Sequence, residues 1–149
     1  MTGALTSIDI IGRGGAKLKD QWESGAKSYL GLGIANFPNL FTVTGPGSPS
    51  VLSNMMPSIE QHVNWITDCI DWMETNDKKV IESSKTAEDE WMVLVNEIAD
   101  MTIFTDTKSW YNGSNIDTKA KAFLPFIGVP VYAEMLEEVV TEDYLSLIH

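Results

Sequence analysis

The chain has 149 residues, of which 44% are hydrophobic, enough for one compact domain with its own core. Its formal net charge of −11 argues against nucleic acid and anionic membrane surfaces as partners, because both attract basic proteins. A single cysteine, Cys69, excludes an internal disulfide, which favours a reducing compartment and a cytoplasmic location.

Short strands are expected in the first third of the chain. Residues 5–11 mix β-branched residues with apolar alternation, which indicates a strand, and the glycine-rich residues 12–15 then indicate a turn. Residues 29–33 and 39–44 are predicted to form two further short strands, the second of them buried.

The stretch over residues 45–55 follows the last of these strands and begins with a Gly/Pro-rich elbow at residues 45–49. A strand, a rigid elbow and a helix N-terminus together bring backbone N–H groups to a place where they can face the electron-rich edge of a ligand. The same residue types also punctuate ordinary tight turns that bind nothing, so both interpretations stay open from the pattern alone.

Amphipathic helices dominate the remainder. A helix is expected to start between Ser53 and Ser58, with Ser58 a candidate N-cap, and to end near residue 75. Its buried face is predicted from apolar residues that alternate at spacings of three and four, namely Ile59, Val63, Ile66, Ile70 and Met73, widened by Trp65, Cys69 and Trp72.

A second helix is predicted from about Thr86, and a third over residues 132–140. The apolar face of the second helix is predicted to contain Trp91, Leu94, Val95, Ile98 and Met101. Residues 109–115 have the composition of a loop. Structural rather than catalytic roles are expected for His62 and Cys69, since neither lies in a legible cluster of catalytic residue types.

The literal residues around the elbow resemble the C-terminal region of Baeyer–Villiger monooxygenases, which are flavoenzymes that use FAD and NADPH. Residues 37–41, 45–50 and 52–55 carry the resemblance, and residues 2–5, 8–10, 29–32, 60–63 and 109–111 continue it. It therefore spans nearly the whole chain, but only the closing portion of such an enzyme.

The resemblance implies an α/β fold: the C-terminal part of a Rossmann-like FAD-binding domain, with short strands followed by amphipathic helices. Residues 1–149 would be a single partial domain. Residues 1–56 would form a β-rich part with the loop beside the flavin, and residues 57–149 a mainly helical part with a Trp-containing loop.

The resemblance also implies the site residues. Contact with FAD or NADP would come from Gly45, Pro46, Gly47, Ser53, Asn54, Trp110 and Lys119. The ketone substrate would be lined by Ser50, Val51, Leu52 and Met55. No catalytic side chain and no metal ligand is expected in this chain.

Neither of the family's two Gly-x-Gly-x-x-Gly nucleotide sites occurs in the sequence. The chain is therefore expected to be a fragment that is inactive alone and needs the missing N-terminal part of the same enzyme. That enzyme would insert one oxygen atom from O₂ next to the carbonyl of a small ketone. The alternative is a small acidic binding or interaction module without catalytic activity.

Overall fold

The computed structural model describes residues 2–49, 54–101 and 128–148. Within these ranges it has five α-helices, a single 3₁₀ turn at Arg13–Gly15 and one two-stranded antiparallel sheet. The helices are α1 Thr2–Thr6, α2 Leu18–Gln21, α3 Met55–Thr75, α4 Lys85–Asp100 and α5 Val129–Thr141. The strands are β1 Glu82–Ser83 and β2 Leu147–Ile148, in which Glu82 pairs with Ile148 and Ser83 with Leu147.

The two long predicted helices are confirmed, with different caps. α3 begins at Met55, within the predicted interval of Ser53 to Ser58, and the Asn54 side chain caps it by accepting a hydrogen bond from the Met56 N–H. The candidate Ser58 is therefore not the N-cap. Ser84, not Thr86, caps α4 by accepting from the Ala87 N–H. The third predicted helix is confirmed as α5, with Pro130 in its first turn.

The core lies between α3, α4, α5 and the 29–33 turn. Trp65 is at its centre: its ring meets Phe41 and Tyr144 edge-on, and its indole N–H donates to the Leu136 carbonyl across 3.2 Å. A second, smaller hydrophobic cluster lies within the N-terminal third of the chain. Its buried residues are Leu18, Trp22, Ala26, Ile34 and Phe37. Cys69 is fully buried, and burial raises the pKa of its thiol to about 12, as expected of a structural cysteine.

The predicted buried face of α3 is right in part. Trp65 and Cys69 are buried as predicted, and Ile66, Trp72 and Met73 are partly buried against the core. Val63 and Ile70 are exposed instead, and α3 also buries Ser58 and His62. The prediction for α4 is right for Trp91 and Val95, but Met101 is exposed. Apolar spacing identified the helices correctly, because it reports periodicity, yet α3 carries two apolar faces and spacing cannot choose between them.

The strands predicted in the first third are also wrong. Leu5 lies in α1, and the 29–33 and 39–44 segments make only the isolated bridges Tyr29–Gly33 and Gly33–Phe41. Positive φ angles at Leu30, Asn39 and Thr44 turn the chain away from an extended path. The described part of residues 1–56 is therefore built from turns and short helices rather than from β-strands.

Candidate functional site

The elbow is a tight turn in which residues 45–49 are all buried. The Gly45 carbonyl accepts from the Ser48 N–H, and Pro46 and Gly47 occupy the two central positions, with Gly47 at φ 78°. Pro followed by a residue with positive φ is the arrangement of a type II turn. The sequence of the elbow therefore favours the conformation that the structure shows.

The turn made by residues 28–33 is hydrogen-bonded to the elbow. The Ser28 hydroxyl donates to the Pro46 carbonyl across 2.5 Å and accepts from the Gly31 N–H. The Gly31 carbonyl in turn accepts from the Gly45 N–H and from the Thr42 hydroxyl. These bonds join the two segments at several points, so the elbow moves only if the 28–33 turn moves with it.

His62 connects the elbow to α3 and α5. The Thr44 N–H, directly before the elbow, donates to His62 Nδ1 across 2.9 Å, and His62 Nε2 lies 2.7 Å from the Tyr132 hydroxyl. Since Nδ1 accepts, Nε2 carries the proton and donates to Tyr132, which donates its own proton to the Leu30 carbonyl at 2.5 Å. Every member of this chain of bonds is buried.

Burial also fixes the charge of His62. Desolvation lowers the pKa of this fully buried imidazole to about 4, so it is neutral at physiological pH, as its bonding requires. A structural role, as expected from the sequence, fits both observations.

Packing within this chain leaves little room for a side chain at either Gly45 or Gly47. A Cβ at Gly45 would lie 2.4 Å from the Gly31 carbonyl oxygen, and a Cβ at Gly47 would lie 3.1 Å from the Trp91 indole nitrogen. The positive φ of Gly47 adds a backbone requirement. The packing against the protein interior accounts for these residues before any cofactor is considered.

The end of α3 that follows the elbow is suited to an electron-rich ligand. Asn54 caps it, Met55 is its first residue, and its first turn carries no acidic side chain although the whole chain has 21. No carboxylate within its own first turn therefore offsets the partial positive charge at the N-terminus of this 21-residue helix. This end of α3 fits a flavin ring edge or another electron-rich group.

The predicted site residues fall into two groups. Gly45, Pro46 and Gly47 form the buried elbow, and Asn54 and Met55 begin α3. The others lie outside the described residues: Ser50, Val51, Leu52, Ser53, Trp110 and Lys119. Sequence reasoning missed the residues that hold the elbow, Ser28, Thr44 and Tyr132, because their partners are far away in sequence and no local pattern marks them.

In the described part of the chain no group of His, Cys, Asp and Glu side chains could hold a metal ion. None of the helices within the described ranges is both long and apolar enough to cross a membrane.

Comparison with known proteins places this arrangement in context. No protein-family model matches the chain. It is 41% identical over 147 residues to a phenazine N-monooxygenase of Lysobacter antibioticus and 39% identical over 147 residues to a Baeyer–Villiger monooxygenase of Pseudooceanicola batsensis. Each alignment takes in 98% of this chain but 27% of the relative.

Comparison with solved structures also finds a flavin-type monooxygenase of which this chain covers only a part. A crystal structure of cyclohexanone monooxygenase from Rhodococcus sp. Phi1 bound to NADP⁺ superposes with a TM-score of 0.92 at 38% identity, over 98% of this chain and 27% of that one. The chain thus spans about a quarter of the length of the proteins it matches.

Proposed function

We propose that this chain is part of a Baeyer–Villiger monooxygenase, the kind of enzyme that it matches over 98% of its length at 39% identity, and that it forms one wall of the flavin and substrate site of that enzyme. The reaction would insert one oxygen atom from O₂ next to the carbonyl of a small ketone, giving an ester or lactone. NADPH would supply the two electrons that reduce the second oxygen atom to water. The enzyme would be located in the cytoplasm, since the single cysteine of this chain favours a reducing compartment.

The observation that carries the proposal is the superposition on an NADP⁺-bound cyclohexanone monooxygenase at TM-score 0.92. A match this close at 38% identity covers the elbow and α3 together, rather than a shared helix pair alone. The N-terminus of α3, which has no acidic side chain in its first turn, and the hydrogen-bonded elbow before it support the proposal, because both suit the electron-rich edge of a flavin ring.

FAD, when bound, supplies the activation of O₂ and the transfer of one oxygen atom. The residues of this chain would hold the ring and keep water away from it: Gly45, Pro46, Gly47, Ser53 and Asn54 on the flavin side, with Trp110 and Lys119 toward NADP. Ser50, Val51, Leu52 and Met55 would shape the ketone pocket. None of these residues transfers a proton in this proposal.

The isolated chain should lack the activity. The glycine-rich loops that bind the phosphates of FAD and NADPH have no counterpart in its sequence, so neither cofactor has its main source of affinity. The remaining part of the same enzyme is the partner that the proposal requires.

Oxygen transfer to nitrogen is the second candidate. The phenazine N-monooxygenase is 41% identical to this chain, slightly above the 39% of the Baeyer–Villiger enzyme, so the ketone is not favoured by identity alone. The two candidates share the flavin and differ in the pocket.

A graft tests the proposal. In the Pseudooceanicola batsensis enzyme, the 147 aligned residues would be replaced by those of this chain and the product supplied with NADPH, O₂ and either cyclohexanone or phenazine. We expect NADPH-dependent lactone from cyclohexanone, measured by gas chromatography, with ¹⁸O from ¹⁸O₂ in the lactone. Formation of the N-oxide alone would favour the second candidate. A folded graft that makes neither product would contradict both and favour the non-catalytic binding module.

A further inference from the structure

α3 carries a row of apolar side chains that the described structure leaves in solvent. Met56, Val63 and Ile70 are 61%, 47% and 42% exposed. They are seven residues apart, so they form one line along the helix that is about 21 Å long. We call these three residues the α3 stripe.

The stripe is an extension of an apolar surface and not a set of isolated positions. Ile59, Ile66 and Met73 lie beside it at spacings of three and four, and Ile66 and Met73 also pack against the core. The fully buried face, with His62, Trp65 and Cys69, lies one position or about 100° further around the helix. α3 is therefore apolar over more of its circumference than the described residues cover.

The comparisons indicate what covers the rest. The proteins that contain this fold are nearly four times as long, since the chain accounts for 27% of each of them. The stripe also begins one residue after Met55, at the end of α3 that would face the flavin. The part of the enzyme that binds the rest of the flavin must approach this same end of the helix.

The acidic side chains beside the α3 stripe disfavour a second copy of this chain as the partner. Glu60 and Glu74 are exposed and lie four residues after Met56 and Ile70, so they border the apolar row on one side. A second copy of this acidic chain would bring like charges together, which disfavours self-association at this surface.

We propose that the α3 stripe is the docking surface for the complementary, nucleotide-binding part of the same enzyme, through an apolar surface flanked by lysine or arginine. This inference rests on the function proposed above and assigns the contact to particular residues. It predicts that Val63 and Ile70 are buried in the whole enzyme although they are exposed here.

The test uses the same graft with two matched changes. Val63→Lys with Ile70→Lys places two charges on the stripe, and Val93→Lys with Met101→Lys places two at and just after α4, where these side chains are 57% and 78% exposed. We expect the stripe variant to lose about ten times more FAD during gel filtration than this control, because charges would be forced into an apolar contact. Its melting temperature should fall as well, while that of the control stays near the parent graft.

The outcomes separate this inference from the proposed function. Equal flavin retention in both variants, with lactone still formed, would overturn the docking surface and leave the proposed function standing. A parent graft that holds no flavin would overturn both. If gel filtration shows the 149-residue chain as a dimer that the two lysines dissociate, and the graft is unaffected by them, the occupant is a second copy and the inference is wrong.

Discussion

At the scale of single residues, His62 links the residue before the elbow to helix α5 through two hydrogen bonds. It accepts from the Thr44 backbone and donates to Tyr132, so one neutral imidazole joins the elbow, α3 and α5. Neither phenylalanine nor a charged side chain could make both bonds. These bonds fit the structural role that the sequence suggests for His62, and they act on the elbow of the candidate site.

The protonation of His62 gives a pH prediction. Its pKa is lowered from 6.5 to about 4 in the folded chain, so between these values the unfolded chain binds more protons. The contribution of His62 to stability is full above pH 6.5 and is lost as the pH falls toward 4, about 3 kcal/mol in all.

Urea unfolding of the wild type and of His62→Gln, each between about pH 7 and pH 4, measures this contribution. The difference in free energy of unfolding should shrink as the pH falls. Glu88, whose pKa burial raises, acts in the opposite direction, but it is present in both proteins and cancels in the comparison. A difference that stays constant across the range would show that His62 is not held neutral by burial.

At the scale of elements, the sequence predicts helices well and turns poorly. The periodic apolar residues of α3, α4 and α5 are local signals, and all three helices are present. The 29–33 and 39–44 segments have strand-like composition, yet positive φ angles and bonds to distant residues turn them into loops. Asn39, for example, both donates to and accepts from Ile81, a partner that no local pattern could reveal.

The elbow likewise has one feature that local sequence predicts and others that depend on distant residues. Its turn is predictable, because Pro46 and Gly47 fit a type II turn from sequence alone. Its supports are not, since Ser28 and Tyr132 are brought to it by the fold.

A pair of glycine substitutions measures how much the packing of the elbow contributes. Gly47 and Gly15 have similar φ angles of 78° and 82°, but a Cβ at Gly47 would press on Trp91 whereas a Cβ at Gly15 would meet nothing within 4 Å. Gly47→Ala should therefore cost about 1 kcal/mol more free energy of unfolding than Gly15→Ala, which pays the backbone strain alone. Equal losses, measured by urea unfolding, would mean that Trp91 moves aside freely.

At the scale of the whole molecule, the chain contains a core and a positioned elbow but a quarter of the length of its relatives. In our proposal the apolar α3 stripe and the absent phosphate-binding loops have one explanation: the remaining part of the enzyme would cover the stripe and would supply the loops.

The flavin content of the graft is the most direct test of this account. The 149-residue chain and the graft would each be mixed with excess FAD, separated by gel filtration, and assayed for bound flavin by absorbance and by fluorescence quenching. We expect about one FAD per graft molecule and no stoichiometric flavin on the chain alone, because the chain supplies one wall of the site and the relative supplies the phosphate-binding loops. A folded graft without flavin would contradict the assignment of the elbow to a flavin site, and tight binding by the chain alone would contradict the division of that site between two parts.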